Sequence, residues 1–163
     1  MQELQVLRAD HAPAVLSFEL ANQAYFARWI TDRGEEFFTH FDERFAALLA
    51  DQRAGAGAYH VLAGDDGSIA GRFNLIFLAE GVAELGYRVA EASAGRGVAT
   101  RAVRELCELA AQRYGVRRFV AATSTQNVAS QKVLTSNAFH HVGPADPADL
   151  RGKPGYRYER MLS

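Results

Sequence analysis

The sequence predicts an α/β fold of the α+β kind: a mixed, mostly antiparallel central sheet of about seven strands, with a parallel pair at its centre and about four helices. Three observations predict it. Alternating apolar runs joined by tight turns occupy the middle of the chain, and a strand–long helix–strand unit follows them. The 163 residues, 48% hydrophobic and 23% charged, suit one compact domain spanning 1–163.

The N-terminal part predicts one short strand and two helices. A strand is expected over 3–7. Asp10 is a candidate N-cap for a helix with Pro13 just inside its start, and this helix ends near Trp29. Gly34 then breaks the chain. In the second helix phenylalanines recur every fourth residue, which predicts an apolar face formed by Phe37, Phe41 and Phe45.

Three strands follow in close succession. The first covers 59–63, and an Asp-Gly turn leads into the second, over 69–78. A Glu-Gly turn leads into the third, over 82–89, which places on one face Ala83, Leu85, Tyr87 and Val89. Strands joined by such tight turns form an antiparallel meander.

The second half begins with a strand–helix–strand unit. A long helix runs from the glycine-rich segment 93–97 through Arg113, and Gly115 ends it as a C-terminal glycine. The run 118–123 is almost wholly apolar, as expected of a strand that is covered on both faces. A unit of this size implies a parallel pair of strands joined by a right-handed crossover.

The C-terminal part predicts one more helix and two strands. The helix covers 127–136, and Asn137 is a candidate left-handed cap at its end. A strand follows at 139–142, and a final strand at 155–162 comes after a proline-rich loop.

Charge and cysteine content argue against several classes of protein. A net charge of −1 gives no indication of a nucleic-acid or membrane partner. The N-terminus lacks the features of a signal peptide and no apolar run reaches membrane-spanning length, so a soluble cytoplasmic protein is expected. Cys107 is the one cysteine, and its place on an apolar helix face predicts a core residue rather than a nucleophile. The five histidines lack metal-ligand spacing, so no metal is predicted.

The segment 94–99 predicts an anion site. It lies at the start of a helix, beyond the carboxyl end of the strand at 82–89, where backbone N–H groups lack helical partners. Its glycines remove the Cβ atoms that would hold a pyrophosphate away. The alternative is a tight strand-to-helix turn that binds nothing. Neither the Gly-Lys-Ser/Thr ending of a Walker A loop nor the three-glycine Rossmann fingerprint is present.

Two motifs and the order of elements resemble the GCN5-related N-acetyltransferase (GNAT) superfamily. Ala94-Gly95-Arg96-Gly97-Val98-Ala99 is similar to its Gln/Arg-x-x-Gly-x-Gly/Ala pyrophosphate motif, from which Ala94 departs. The segment from Asn127 to Leu134, with Ala138 and Phe139, is similar to the Asn-x-x-Ser-x-x-Val-Leu…Gly-Phe segment of the ribosomal-protein N-terminal (RimJ/RimL-like) branch. The specific motifs are confined to 83–139, and the rest of the chain matches only in element order.

The resemblance implies a GNAT-like acyl-CoA N-acyltransferase fold with acetyl-CoA as cosubstrate and no metal. It also implies a bulge at Gly86 that separates the two parallel strands. The cofactor-binding residues that it implies are Leu85, Tyr87, Arg88, Val89, Gly95, Arg96, Gly97, Val98, Ala99, Thr100, Asn127 and Lys132.

Two residues are catalytic candidates under the resemblance. Glu84 would act as general base toward the amine, the alternative being a solvated strand carboxylate. Leu134 occupies the position of the tyrosine that often protonates the leaving thiolate in the family. Ser130 is then the remaining hydroxyl that can donate a hydrogen bond there.

The predicted reaction is direct transfer of an acetyl group from acetyl-CoA to a primary amine. The acceptor is either a protein N-terminus or a small-molecule amine, amino acid or antibiotic, and Tyr25, Trp29 and Phe38 are expected to border its site. A non-catalytic CoA-binding module and a purely structural domain are the alternatives of other classes. An edge strand near the C-terminus makes a homodimer a family-level expectation.

Overall fold

One mixed seven-stranded sheet organises the computed structural model, which describes residues 2–29 and 34–162. The strands lie in the order β1-β2-β3-β4-β5-β7-β6, and β4 and β5 are a parallel pair near the centre. The strands are β1 (Glu3–Val6), β2 (Gly57–Ala63), β3 (Ile69–Ala79), β4 (Val82–Val89), β5 (Arg118–Ser124), β6 (His140–Pro144) and β7 (Gly155–Met161). The helices are α1 (Ala12–Ala21), α2 (Gln23–Phe26), α3 (Gly34–Thr39), α4 (Phe41–Arg53), α5 (Val98–Tyr114) and α6 (Val128–Ser136). The predicted mixed sheet, its meander and its parallel pair are confirmed.

Each face of the sheet has its own hydrophobic core. One face packs against α5 and α6, through Val103 and Leu106 from α5 and Leu134 from α6. The other packs against α1 to α4, whose buried apolar side chains are Val15, Phe18, Phe26, Phe37, Phe41 and Phe45. Burying one such side chain contributes about 1.5–3 kcal/mol. The sheet is therefore fixed from both sides, and ligands reach it only where the helices leave it uncovered. No helix in the two described ranges is both long and apolar enough to span a bilayer.

Six helices replace the predicted four because both N-terminal helices are interrupted. At Asn22 the side-chain amide donates to the Phe18 carbonyl at 2.9 Å and accepts from the Glu91 N–H at 3.0 Å. These bonds hold Asn22 outside helical geometry, between α1 and α2. The second interruption falls at His40, between α3 and α4. Gly34 opens α3 at φ +75° rather than separating two long helices.

Two predicted helix caps are wrong. Asp10 lies in a short 3-10 turn ahead of α1, where its carboxylate pairs with the Arg8 side chain at 3.1 Å instead of capping the helix. After α6, Asn137 has φ −107°, and the left-handed position is taken by Ala138 at φ +64°. Asn137 is buried, and its amide nitrogen donates to the carbonyls of Thr100 and Val133, which ties α6 to the start of α5.

The parallel strands β4 and β5 pair over three residues and then separate. The last pair joins Glu84 to Val120, although β4 continues to Val89 and β5 to Ser124. The separation of the parallel strands expected at Gly86 is therefore present, but no bulge forms against β3, because the register of β3 and β4 is unbroken there and its irregularity lies between Phe77 and Ala79. The separation is on the β5 side alone, so the fork between β4 and β5 leaves backbone groups of β4 without a strand partner.

Candidate active site

The fork opens into a cleft of about 480 Å³. The cleft is lined by the outer half of β4, the glycine loop, the first turn of α5 and the first turns of α6. Its lining residues are Tyr25, Phe26, Trp29, Gly86, Tyr87, Arg88, Val89, Ser93, Ala94, Gly95, Gly97, Val98, Ala99, Thr100, Ala122, Asn127, Ala129, Ser130, Lys132 and Val133. The structure thus brings together residues from both sequence motifs, which are about 30 positions apart.

The glycine loop presents bare backbone to this cleft. Gly95 and Gly97 have φ of +76° and +74°, a left-handed conformation that side chains other than glycine seldom adopt. Gly97 is the N-cap of α5, and no side chain caps that helix. The first N–H groups of α5 therefore remain available to an anion, and the helix dipole favours negative charge at this end. The Arg101 guanidinium lies close by, where it donates to the Arg96 carbonyl at 3.4 Å.

Gly86 faces open space at the fork. A Cβ built on it would meet no atom within 4 Å among the described residues other than its chain neighbours, so the absent side chain is not explained by packing against another element. A side chain there would instead project into the open fork. The residues present therefore suit an extended ligand that lies along β4 with its anionic end at the glycine loop.

Three polar side chains meet on the α6 side of the cleft. Asn127 caps α6, its Oδ1 accepting from the Ser130 N–H at 3.1 Å, so its Nδ2 is not used by this cap. The Tyr87 hydroxyl lies 2.9 Å from Ser130 Oγ and donates to the Ser130 carbonyl at 3.1 Å. Burial raises the pKa of Tyr87 well above its ordinary value of 10.0, so the phenol keeps its proton.

Glu84 lies at the vertex of the fork, in the last residue pair between β4 and β5. Its side chain is half-buried and lines neither this cleft nor the cavity described below. Burial raises its carboxyl pKa, the nearby Asp149 raises it further, and Arg157 opposes both. Gly86 is two residues further along the same strand face, about 7 Å away.

Two predicted cofactor residues lie outside the cleft lining. Leu85 is buried in the core beneath α5, on the face of β4 that also carries Ala83. Arg96 is exposed at the tip of the glycine loop. Of the expected acceptor-site aromatics, Tyr25 and Trp29 line the cleft and Phe38 does not.

A second cavity, also of about 480 Å³, lies on the α3–α4 side of β4, and we call it the arginine cavity. It shares Gly86, Tyr87 and Arg88 with the cleft, so the two adjoin at the fork. The described residues that line it are Phe37, Phe41, Arg44, Phe45, Ala47, Leu48, Arg72, Asn74, Gly86, Tyr87 and Arg88.

A buried ion cluster supports this cavity, and sequence reasoning missed it. Glu19 of α1 is 2% exposed and accepts from Arg72 at 2.9 Å and from Arg88 at 3.1 Å. The one signal in the sequence is a glutamate beside the apolar residues of α1, next to Phe18 and four residues after Val15.

Cys107 lies in the core, as predicted. It is 2% exposed, and burial raises its pKa to about 11, so it is not a nucleophile at neutral pH. Among the residues that the structure describes, no group of three or more His, Cys, Asp or Glu side chains is placed to hold a metal ion.

Comparison with known families identifies the class of protein. Residues 3–140 match the acetyltransferase (GNAT) domain family. This match covers most of the chain, and the chain therefore belongs to the GNAT family of acetyltransferases. A comparison with curated protein sequences finds no match.

Similar solved structures include ribosomal-protein and polyamine acetyltransferases. The ribosomal-protein-S5-alanine acetyltransferase of Vibrio fischeri superposes with a TM-score of 0.89 at 19% identity, covering 99% of this chain and 93% of the other. The Salmonella typhimurium enzyme that modifies the N-terminal serine of ribosomal protein L7/L12 gives 0.85 at 22%, covering 99% and 95%. Spermidine N-acetyltransferase of Vibrio cholerae, in complex with CoA and spermine, gives 0.80 at 13%, covering 99% and 95%. At these identities the similarity shows a shared fold.

Proposed function

We propose that this acetyltransferase moves the acetyl group of acetyl-CoA directly to a primary α-amine bound at the fork between β4 and β5. The observation that carries this proposal is the fork itself, open over Gly86 and bordered by the uncapped N-terminus of α5. Acetyl-CoA supplies a thioester that an amine can attack once its carbonyl is polarised. The other roles fall to residues of this chain.

The glycine loop and α6 hold the cosubstrate in this proposal. The backbone N–H groups at Gly97, Val98 and Ala99 bind the pyrophosphate. Thr100, Arg101 and Lys132 lie near enough to the loop or cleft to support the phosphates. Asn127 donates from the Nδ2 atom that its cap leaves unused. Backbone N–H groups of β4 beyond Glu84 stabilise the developing oxyanion, because β5 no longer pairs with them.

Ser130 and Tyr87 stabilise the leaving thiolate by hydrogen bonding, and the thiolate then takes up its proton from solvent. The single phenol proton is placed to serve either the Ser130 carbonyl or Oγ. When Tyr87 donates to Oγ, the Ser130 proton is free to turn toward the sulfur. Ser130 thus donates the hydrogen bond and Tyr87 orients it, since Leu134 is buried in the core and has no proton to give.

Glu84 receives the proton of the amine through a water in this proposal, because its side chain does not line the cavities directly. A raised pKa makes it a better proton acceptor than an ordinary carboxylate. A base that acts indirectly suits an acceptor that is already partly neutral. The α-amine of a polypeptide, with a pKa of about 7.7–8.0, meets this condition at neutral pH, whereas a lysine near 10.4 does not. The acceptor is therefore the α-amine of a protein N-terminus, or that of a small molecule whose amine pKa is lowered by nearby positive charge in the site.

The experiment that tests this function measures CoA release with a panel of acceptors: N-terminal peptides, amino acids, polyamines and lysine-containing peptides blocked at the N-terminus. We expect turnover with α-amines and much less with ε-amines. Binding of acetyl-CoA without turnover of any amine would favour the non-catalytic module. Failure of the folded protein to bind acetyl-CoA would favour the alternative of a purely structural domain.

Assembly and location are separate proposals. β6 forms one edge of the sheet, and a homodimer through that edge follows from the family resemblance. The molar mass in solution, measured by light scattering, tests it. A cytoplasmic location is tested by fractionation of cells that express the protein.

A further inference from the structure

We infer that the acceptor carries a carboxylate close to its amine, and that the arginine cavity binds this carboxylate. The inference rests on the proposed function and names the chemical class of its acceptor. The arginine cavity adjoins the cleft at Gly86, so a molecule that occupies it places an end at the fork.

Among the described residues that line or support the arginine cavity, positive side chains outnumber negative ones. Arg72 and Arg88 share the carboxylate of Glu19, each binding one of its oxygens. Burial lowers the pKa of Arg88; Glu19 opposes this, and Arg72 and Arg151 lower the pKa further. Arg44 is a third lining arginine, 51% exposed and 3.8 Å from the exposed Glu36 carboxylate. A carboxylate that enters the cavity therefore reduces repulsion among these arginines.

The rest of the lining suits a small amphipathic group. Phe37, Phe41 and Phe45 form an apolar wall from α3 and α4. A volume of about 480 Å³ accommodates an amino acid or the first residues of a peptide. A polyamine is a poor occupant, because its second ammonium group would lie against guanidinium groups.

Two features favour a neutral amine at the fork end of the cavity. Asn74 lies directly across the sheet from Gly86, and its buried Oδ1 has no hydrogen-bond partner within residues 2–29 and 34–162. An amine N–H is a donor that satisfies this oxygen once the amide rotates about χ2. The neighbouring arginines also disfavour the ammonium form of a bound amine, so binding increases the fraction of neutral, nucleophilic amine.

The test compares acceptors in pairs that differ in one carboxylate, and each rate is corrected for the fraction of neutral amine, because amidation of an amino acid also lowers the pKa of its amine. One pair is a peptide beginning Ser-Asp against the same peptide beginning Ser-Asn, and the other is free phenylalanine against phenylalaninamide. We expect kcat/KM for the carboxylate member of at least one pair to exceed its neutral partner by about tenfold or more. The pair that shows the preference identifies whether a peptide or a free amino acid supplies the carboxylate.

Substitution of Arg44 assigns the preference to the arginine cavity. Arg44→Gln is expected to reduce the charge preference about tenfold while acetyl-CoA binding is retained, and Arg44→Lys to restore part of it. Arg53→Gln is the matched control, because Arg53 is an exposed arginine at the far end of the same helix, outside the cavity lining. Its preference should equal that of the wild type.

Four results would overturn the inference. Equal rates within both pairs, or spermidine as the best acceptor, would contradict it while leaving acetyl transfer intact. A carboxylate preference that Arg44→Gln does not reduce would show that the arginine cavity does not bind the carboxylate. Absence of turnover with every amine would remove the proposed function and the inference with it.

Discussion

For Glu84 the two alternatives are a general base and a solvated carboxylate. It is the last residue of β4 to pair with β5, and its pKa is raised by burial and by Asp149. The raised pKa distinguishes Glu84 from a fully solvated carboxylate. Its position at the fork supports the general-base role proposed for it.

Replacement of this carboxylate gives the first prediction. Glu84→Gln should lower kcat by about 10²–10⁴-fold, the usual contribution of a general base, without changing acetyl-CoA affinity. In the wild type kcat/KM should rise with pH as Glu84 loses its proton, and this limb should be absent from the variant. Glu80→Gln, an exposed change in the preceding turn, is the control. Unchanged kcat in Glu84→Gln would establish the solvated-carboxylate alternative.

In helix α6, Asn127 has an observed structural role and a proposed binding role. Asn127 caps the helix through Oδ1 and has Nδ2 left for a ligand. Asn127→Ala should lose about 1 kcal/mol of unfolding free energy and also weaken acetyl-CoA binding. Asn127→Ser should keep the cap and lose only affinity, because its hydroxyl replaces the capping oxygen. Denaturant unfolding and calorimetry separate the two effects, and equal affinity in all three proteins would contradict the binding role.

The other end of α6 carries measurable backbone strain. Ala138 adopts φ +64°, where a Cβ costs roughly 1–2 kcal/mol, part of which the greater flexibility of glycine in the unfolded chain offsets. Ala138→Gly should therefore raise the unfolding free energy by up to about 1 kcal/mol. Ala129→Gly, at an exposed position inside the same helix, should lower it by a similar amount. A loss of stability in Ala138→Gly would show that the left-handed position is unstrained.

Strands and the glycine loop are predictable at the scale of elements because their signals are local. Alternation and the Asp-Gly turn locate the meander, and glycines locate the start of α5. The interruption at Asn22 has no such signal, since one of its partners is Glu91, 69 residues away. The sequence predicts Asn137 as the left-handed cap, because asparagine tolerates this region more readily than alanine. In the structure Asn137 is held by hydrogen bonds to Thr100 and Val133, and Ala138 takes the left-handed position.

The candidate site is likewise predictable from the sequence only where its signals are local. Both motifs that line the cleft are visible in the sequence, since glycine spacing and a helix-capping asparagine are local features. The arginine cavity is not, because Glu19, Arg72 and Arg88 meet only when α1 packs across β3 and β4. Of the two predicted cofactor residues that lie outside the lining, Leu85 is buried in the core and Arg96 is exposed to solvent.

Acid sensitivity is a property of the whole molecule. Burial is the main cause that lowers the pKa of both His11 and His60, so the folded state binds protons at these sites less readily than the unfolded chain. The two neutral histidines add to the unfolding free energy above pH 6.5, the ordinary pKa of histidine, and this contribution is lost as the pH falls below 6.5. Glu84, with its raised pKa, acts in the opposite direction at lower pH.

Urea unfolding at pH 7 and pH 5 tests this balance. The unfolding free energy should be smaller at pH 5, and His60→Gln should reduce the difference between the two values. His140→Gln is the control, because His140 is exposed. Greater stability at pH 5 than at pH 7 would contradict the assignment of the histidines as neutral groups.

Calorimetric titration with acetyl-CoA tests the central claim, that the cosubstrate binds at the fork with its phosphates on the glycine loop. Gly97→Trp and Gly115→Trp form a matched pair, because both glycines are left-handed and lie at opposite ends of α5. The backbone strain is similar, and only Gly97 lines the cleft. We expect the wild type and Gly115→Trp to bind acetyl-CoA, and a folded Gly97→Trp not to bind it. Equal binding by both variants, or no binding by the folded wild type, would contradict this claim.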